Sequence, residues 1–303
     1  MQGALAESMT VWINALVTSA GGEILENPDA SPDEMQLGLD TDAGRKAADI
    51  IGRIGSSGLG GSAGFWQPQL GVLVAAGHRV IVYDQRGTGR SPAALPEAYA
   101  IADMARDVLE ILDATGTAQC HFAGHALGGL VGLQLALDAP ARIASLVLVN
   151  AWARPNPHSA RCFDARLALL GACGARAYVE AQPIFLYPAA WAAEHAQRVA
   201  DEVDHAFAHF PGEANMRARI GALRAFDVAA RLGEIAAPAL IAAAKDDVLV
   251  PWTCSQHLAD GLRDVTLDFV AHGGHAHSVT EAEAFNRGLL DFLSRVAAPA
   301  AIA

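Results

Sequence analysis

The chain is poor in the features that mark membrane-spanning, secreted and metal-binding proteins. No apolar run approaches the ~20 residues that a membrane-spanning helix needs. The first Lys or Arg is Arg45, so there is no basic segment ahead of an apolar one, and no secretory signal is expected. Met9 to Ala20 is apolar but sits behind Glu7. There are only four cysteines: Cys120, Cys162, Cys173 and Cys254. They are scattered, without metal or redox spacing, and are expected to be small core or surface residues in a reducing compartment, the cytoplasm. Positive charge is scarce. Lys and Arg number 21 against 33 Asp and Glu, giving a net charge of -12. That balance argues against nucleic acid or an anionic membrane as a partner.

What is present is a compact globular composition, 52% hydrophobic and 18% charged over 303 residues, long enough for a large core. The acids are unevenly spread. Glu7, Glu23, Glu26, Asp29, Asp33, Glu34, Asp40, Asp42 and Asp49 face only Arg45 and Lys46 in the first fifty residues. The shift suggests a different origin or role for that segment.

One further absence is chemical. Gly124-His125-Ala126-Leu127-Gly128 has the frame of a G-x-S-x-G nucleophile elbow, with alanine in place of serine. Such an elbow is a sharp strand-to-helix turn that lifts one side chain above the end of a parallel sheet. Flanking glycines relieve its crowding. The short apolar run Cys120 to Ala123 precedes it and reads as a strand. Leu127 to Leu137, apolar on nearly every face, reads as a buried helix. The alternative is a tight turn of any doubly wound sheet. Either way, Ala126 has no atom that can attack a carbonyl.

Downstream of Phe65 the chain alternates helices and strands. Helices are expected at Trp66–Ala76, Ile101–Thr115 and Glu281–Val296. Strands are expected at Arg79–Asp84, Ser145–Asn150, Pro238–Ala244 and Asp264–Val270. Residues 155–225 carry helical patterns and no strand, as an inserted helical cap would. Such alternation predicts an α/β fold: a parallel sheet with helices on both faces. In such sheets functional groups lie beyond the carboxyl ends of the strands.

Two candidates fall there: Asp247, after the strand ending at Ala244, and His275, after the strand ending at Val270. Elbow, acid and histidine come in the chain order of the α/β-hydrolase triad. The acid orients the imidazole and the imidazole moves protons near neutral pH. Asp247 also suits a turn or helix cap. His272 and His277 flank His275, but their spacing without a helix or nearby acid cluster is poor for a metal, so none is assigned. His125 is either a packing residue or a pocket residue. Asp84 and Arg86 read as a structural loop pair. Ser57 to Ser62 is glycine-rich and reads either as a linker or as the loop that supplies an oxyanion-hole N–H, with Leu59 or Gly60 on one side and Leu127 on the other.

The stretches SGLGGSAGFWQPQL, VIVYDQRGTGRSP, FAGHALGGLVGLQLALDAPARI, LVLVNAW, RCFDAR, VEAQPIFLYPAAW, DDVLVP and GGHAHSVT make residues 57–296 resemble the α/β-hydrolases, and within them the pyrimidine-utilisation protein D (RutD) family. The resemblance covers about four-fifths of the chain and includes the elbow alanine. It implies a hydrolase core at 57–154 and 226–303 with a cap at 155–225. It also implies an activity on aminoacrylate or carbamate from uracil breakdown, and no cofactor. The amino terminus departs. Asp42 to Ile54 reads as a helix with Asp42 as N-cap and Gly55 as its stop. Glu7 to Trp12 and Ala20 to Leu25 resemble an extracellular sugar-binding protein of the ABC-transporter type. The chain thus looks like a fusion at the Ser-Gly-Leu-Gly region, with the first strands of the hydrolase sheet missing or replaced.

The expected function is hydrolysis without a covalent intermediate, with His275 and Asp247 catalytic, Ala126 at the elbow, and Leu59, Gly60, Leu127 and His125 around the substrate. A small molecule is the expected partner, with a homodimer as an option. The rival readings are a catalytically impaired hydrolase-like binding protein and an incompletely folded fusion. A conventional serine esterase is disfavoured by Ala126.

Overall fold

Continuous apolar runs in the middle of the chain have no polar face to show to water, so they pair in parallel and are covered on both sides. The computed structural model describes residues 52–297 and, before them, the backbone of 16–18. Strands β1 (Leu16–Thr18), β2 (Gly52–Ser56), β3 (Val80–Val82), β4 (Cys120–His125), β5 (Ile143–Val149), β6 (Ala239–Ala244) and β7 (Val265–Val270) form one sheet in the order β1-β3-β2-β4-β5-β6-β7. β2 through β7 run parallel, and β1 pairs antiparallel with β3 at one edge.

The strand period of two divides the core. Leu146 and Leu148 of β5 face one layer, with Phe122 and Ile54, while Val147 and Val149 face the other, with Val80, Val82 and Leu240. Helices α1 (Gln67–Ala75), α2 (Ile101–Ala114) and α3 (Leu127–Asp138) follow β2, β3 and β4 in turn. α2 and α3 cover the first layer through Val108, Leu112, Leu130 and Leu133. α1 covers the second through Leu73. Between β5 and β6 lie five helices: α4 (Pro157–Glu180), α5 (Gln182–Leu186), α6 (Ala189–Glu194), α7 (Ala196–Ala208) and α8 (Glu213–Ala225). Phe163, Leu170, Ile220 and Leu223 of this insertion join the core of the first layer. α9 (Trp252–Gly261), α10 (His277–Thr280) and α11 (Ala282–Ala297) complete the chain, with Phe285, Leu289 and Phe292 of α11 closing the second layer.

The main correction falls at the amino end. Residues 52–56, expected as the last turn of a helix and its stop, are a central strand. Ile54 pairs with Ile81 on one side and Phe122 on the other and is fully buried. The strand that carries the glycine-rich loop is therefore present, and for that strand the expectation that it is missing or replaced is corrected. Ile50, Ile51 and Ile54 fit a helix face as well as they do because Gly-Arg-Ile-Gly-Ser is too short to show a strand period. Pairing with two neighbouring strands decides it. The rest of the expected helix, from Asp42 to Ile51, and the stretches that resemble a sugar-binding protein lie outside the described residues.

Candidate functional site

Five segments converge beyond the carboxyl ends of the strands: residues 57–61 after β2, Ala126 after β4, Asn150 after β5, Asp247 after β6 and His275 after β7. The elbow is fully built. Ala126 has φ 48° and ψ -113°, a conformation that costs a non-glycine residue on the order of 1–3 kcal/mol. Crowding holds it there. A Cβ on Gly124 would lie 2.3 Å from the Gly128 carbonyl oxygen, and one on Gly128 would lie 2.1 Å from that of Ser56. The Ala126 N–H donates to the Val149 carbonyl at 2.8 Å. Leu127 opens α3, so its N–H has no acceptor within the helix and belongs to the positive end of the helix dipole.

The structure brings Asp247 and His275 together. Nδ1 of His275 is 2.7 Å from Oδ2 of Asp247, and both side chains are buried. Oδ1 of Asp247 accepts the backbone N–H groups of Leu249 (2.7 Å) and Val250 (2.8 Å). These donors fix the acid in place, and the acid in turn orients the imidazole through Nδ1, which leaves Nε2 for proton transfer.

Asn150 completes the arrangement and was not singled out in the sequence. Its Nδ2 donates to Oδ2 of Asp247 (2.8 Å) and lies within reach of the carbonyls of Gly274 (3.2 Å) and His275 (2.9 Å). Its φ of 48° turns the chain out of β5 so that the amide can do this. The only signal in the sequence was its place at the end of a buried strand.

His125 is buried both as packing and as tether. Its ring stacks on Phe65 at 4.3 Å, and Nε2 donates to the His275 carbonyl at 2.8 Å. That bond fixes the neutral tautomer with the proton on Nε2, and burial holds its pKa well below the usual histidine range. Nδ1 has no partner and borders Gly58. The flanking histidines go elsewhere: His272 is exposed and His277 packs edge-on against Phe285.

Burial pushes the His277 pKa down to about 4. An unfolded histidine takes a proton near pH 6.5, whereas folded His277 does not until about pH 4. The unfolded chain therefore binds the extra proton in that window. The stability from this group is complete above pH ~6.5 and lost as pH falls toward 4. Melting temperature should fall across that window, and more gently in a His277→Gln variant. Equal losses in both proteins would remove His277 as the source.

The loop after β2 is pinned from below. Gln85 donates through Nε2 to the Ser57 carbonyl (2.8 Å) and the Ser56 hydroxyl (3.0 Å), and Ser56 in turn meets the Tyr83 hydroxyl at 2.9 Å. Leu59 is half-buried against the core, while Gly60 is exposed with open space around it. From α8 the fully buried Arg219 donates through Nε to the Leu59 carbonyl at 3.1 Å and through Nη2 to Oε1 of Gln85. Neither Gln85 nor Arg219 stood out in the sequence, because nothing in a single chain reports which arginine of a helix becomes buried. Asp84 and Arg86 do not pair with each other. Asp84 takes Arg90 and the Ala63 N–H, and Arg86 takes Asp107, so both are structural but with other partners.

Residues 57–172 match the family model for the alpha/beta hydrolase fold. A protein of Variovorax paradoxus named "Putative carbamate hydrolase RutD" is 83% identical over 244 residues, covering 80% of this chain and 92% of its own. One of the same name from Stutzerimonas stutzeri is 54% identical over 251 residues, covering 83% and 94%. Among solved structures, a hydrolase from Pseudomonas aeruginosa is 30% identical with a TM-score of 0.73, covering 81% of this chain and 91% of its own. The enol-lactonase from Burkholderia xenovorans is 25% identical with a TM-score of 0.74, covering 81% and 92%. With an elbow, an Asp–His pair and relatives this similar over most of their length, the chain belongs to the RutD family of α/β-hydrolases.

Proposed function

We propose that this protein hydrolyses a small anionic product of pyrimidine breakdown, carbamate or aminoacrylate, by general acid–base activation of water and without a covalent intermediate. The observation that carries this is the buried Asp247–His275 pair, 2.7 Å apart, at the same end of the sheet as an elbow whose tip is a methyl group. Carbamate and water give bicarbonate and ammonia. Nε2 of His275 takes a proton from water and returns it to the departing nitrogen. Aminoacrylate is an enamine. It takes a proton on the carbon next to its carboxylate, then water on the resulting imine carbon, and releases ammonia and an aldehyde acid. Neither reaction needs a serine. Leu127 and Leu59 backbone groups and His125 border the place where substrate sits, residues 155–225 act as the cap, and the free cysteines suit a cytoplasmic setting. No helix among the described residues is long and apolar enough to cross a membrane.

The test is turnover of carbamate, followed by carbon-13 NMR as bicarbonate appears, together with ester kinetics. Carbamate loss should be accelerated, p-nitrophenyl acetate should turn over slowly with no burst, and a serine-directed phosphonate should leave residue 126 unlabelled. A stoichiometric burst would disprove the non-covalent route. Absence of any acceleration for both substrates would put the binding-protein reading ahead.

A further inference from the structure

The loop that carries His275 has little stiffness of its own. Gly273 (φ 126°) and Gly274 (φ 67°) precede the histidine, and glycine restricts the backbone less than any other residue. Bonds from other elements hold the loop instead. Asp246 accepts the N–H groups of Gly273 (3.3 Å) and Gly274 (2.9 Å), and the Thr280 hydroxyl donates to the Gly273 carbonyl at 2.8 Å. The Ala276 N–H donates to the Leu186 carbonyl of the insertion at 3.0 Å.

The His275 carbonyl is gripped twice. It accepts the Nε2–H of His125 at 2.8 Å and an Nδ2–H of Asn150 at 2.9 Å. A carbonyl oxygen has two lone pairs, so both are taken. The two donors stand at the ends of the adjacent strands β4 and β5, which are tied to each other and to β6. The Ala126 N–H meets the Val149 carbonyl at 2.8 Å, and the Asn150 N–H meets that of Ala242 at 2.9 Å. The amide of Asn150 also bonds Oδ2 of Asp247, the oxygen that faces Nδ1 of His275, so one side chain fixes both partners. A neutral donor suits position 125. The His125 and His275 rings are 4.7 Å apart, and a cation at 125 would oppose the charge that His275 takes up with a proton. Burial keeps His125 neutral, so it holds the loop without that cost.

Where a serine nucleophile is present, the imidazole is held on two sides, by the acid at Nδ1 and by the serine hydroxyl at Nε2. Ala126 offers nothing to Nε2. We propose that His125 and Asn150 are positioning residues that replace this second anchor, holding His275 by its main-chain carbonyl so that Nε2 is fixed in place yet free for water. The inference rests on the hydrolase reading above and adds how an Asp–His pair works without a serine: the base is anchored from behind. His125 and Asn150 act through His275, and His275 does the proton transfer.

Proton and nitrogen-15 NMR of the histidine rings tests the grip without needing turnover. The proton shared by His275 and Asp247, identified by its absence from His275→Ala, should give one sharp far-downfield signal in the wild-type protein, and the His275 ring should be as rigid as the backbone. His125→Phe keeps a ring against Phe65 but loses the N–H, and Asn150→Gly keeps the left-handed turn but loses the amide. Each should broaden that signal and lower kcat for carbamate by about 10-fold with KM changed by less than about twofold, and the two together should lower kcat by about 100-fold. His125→Gln, with an amide N–H at the same distance from the backbone as Nε2, should restore the signal and most of kcat. If one variant fails to fold, the other decides. If neither folds, ring relaxation in the wild type decides, a rigid His275 supporting the grip and a freely reorienting one overturning it. Folded variants with signal and kcat unchanged would also overturn it, as would a loss of kcat that His125→Gln does not recover. Broadening in the variants of a protein that turns over nothing would leave the grip standing and remove the hydrolase reading. Carbamate turnover with signal and kcat untouched by either change would do the reverse.

Discussion

Replacing His275 by alanine is expected to lower turnover of carbamate or aminoacrylate by about 10²- to 10⁴-fold, the range that a positioned general acid–base group contributes. The expectation is clean because the variant should still fold. The contacts that organise this loop, from His125 Nε2 and Asn150 Nδ2, go to the backbone carbonyl of residue 275, which alanine retains. Asp247 keeps Asn150 and the two N–H groups of Leu249 and Val250. A matching circular-dichroism spectrum and melting curve would verify the fold, and steady-state kinetics would read the loss. Turnover in the folded variant equal to that of wild type would mean that the Asp–His pair is a structural remnant and that water is activated elsewhere or not at all.

Gly128→Ala should cost about 3 kcal/mol of stability, at the upper end of what overpacking usually does. The added methyl would meet the Ser56 carbonyl oxygen at 2.1 Å, its carbon at 2.6 Å and the Ser57 oxygen at 2.8 Å. All three are backbone atoms, so no rotamer change can make room. Relief would require α3 to move off β2 and would carry the elbow with it. Gly71→Ala in α1 is the control. Nothing lies within 4 Å of its Cβ position and the residue is exposed, so the change should be neutral or stabilising by up to about 1 kcal/mol. Urea denaturation of both variants makes the comparison. Equal stabilities would mean that residues 52–56 do not run beside the elbow, and the correction made at the amino end would fall with them.

Most of the fold was legible in the sequence because the signals were local. Val147 and its neighbours form an apolar run with no polar face, which suits only a strand buried on both sides. Gly124, Ala126 and Gly128 sit at the spacing of a turn whose steric demands are met within five residues. Asp247 and His275 follow such strands, so a parallel sheet brings their loops to the same end. The chemistry of Ala126 was equally plain, since a methyl cannot attack. Other features had no local signature. Gly52 to Ser56 is ambiguous by itself and becomes a strand because β3 and β4 offer unpaired backbone groups on both sides. Asn150 gains its role from a left-handed turn that places one amide against an acid 97 residues away. Arg219 is one of several arginines in the insertion, and only the packing of α8 against the loop after β2 removes it from water without giving it an anion. Backbone pairing, burial and charge compensation are set by groups far apart in the chain, and the tertiary structure alone decides them.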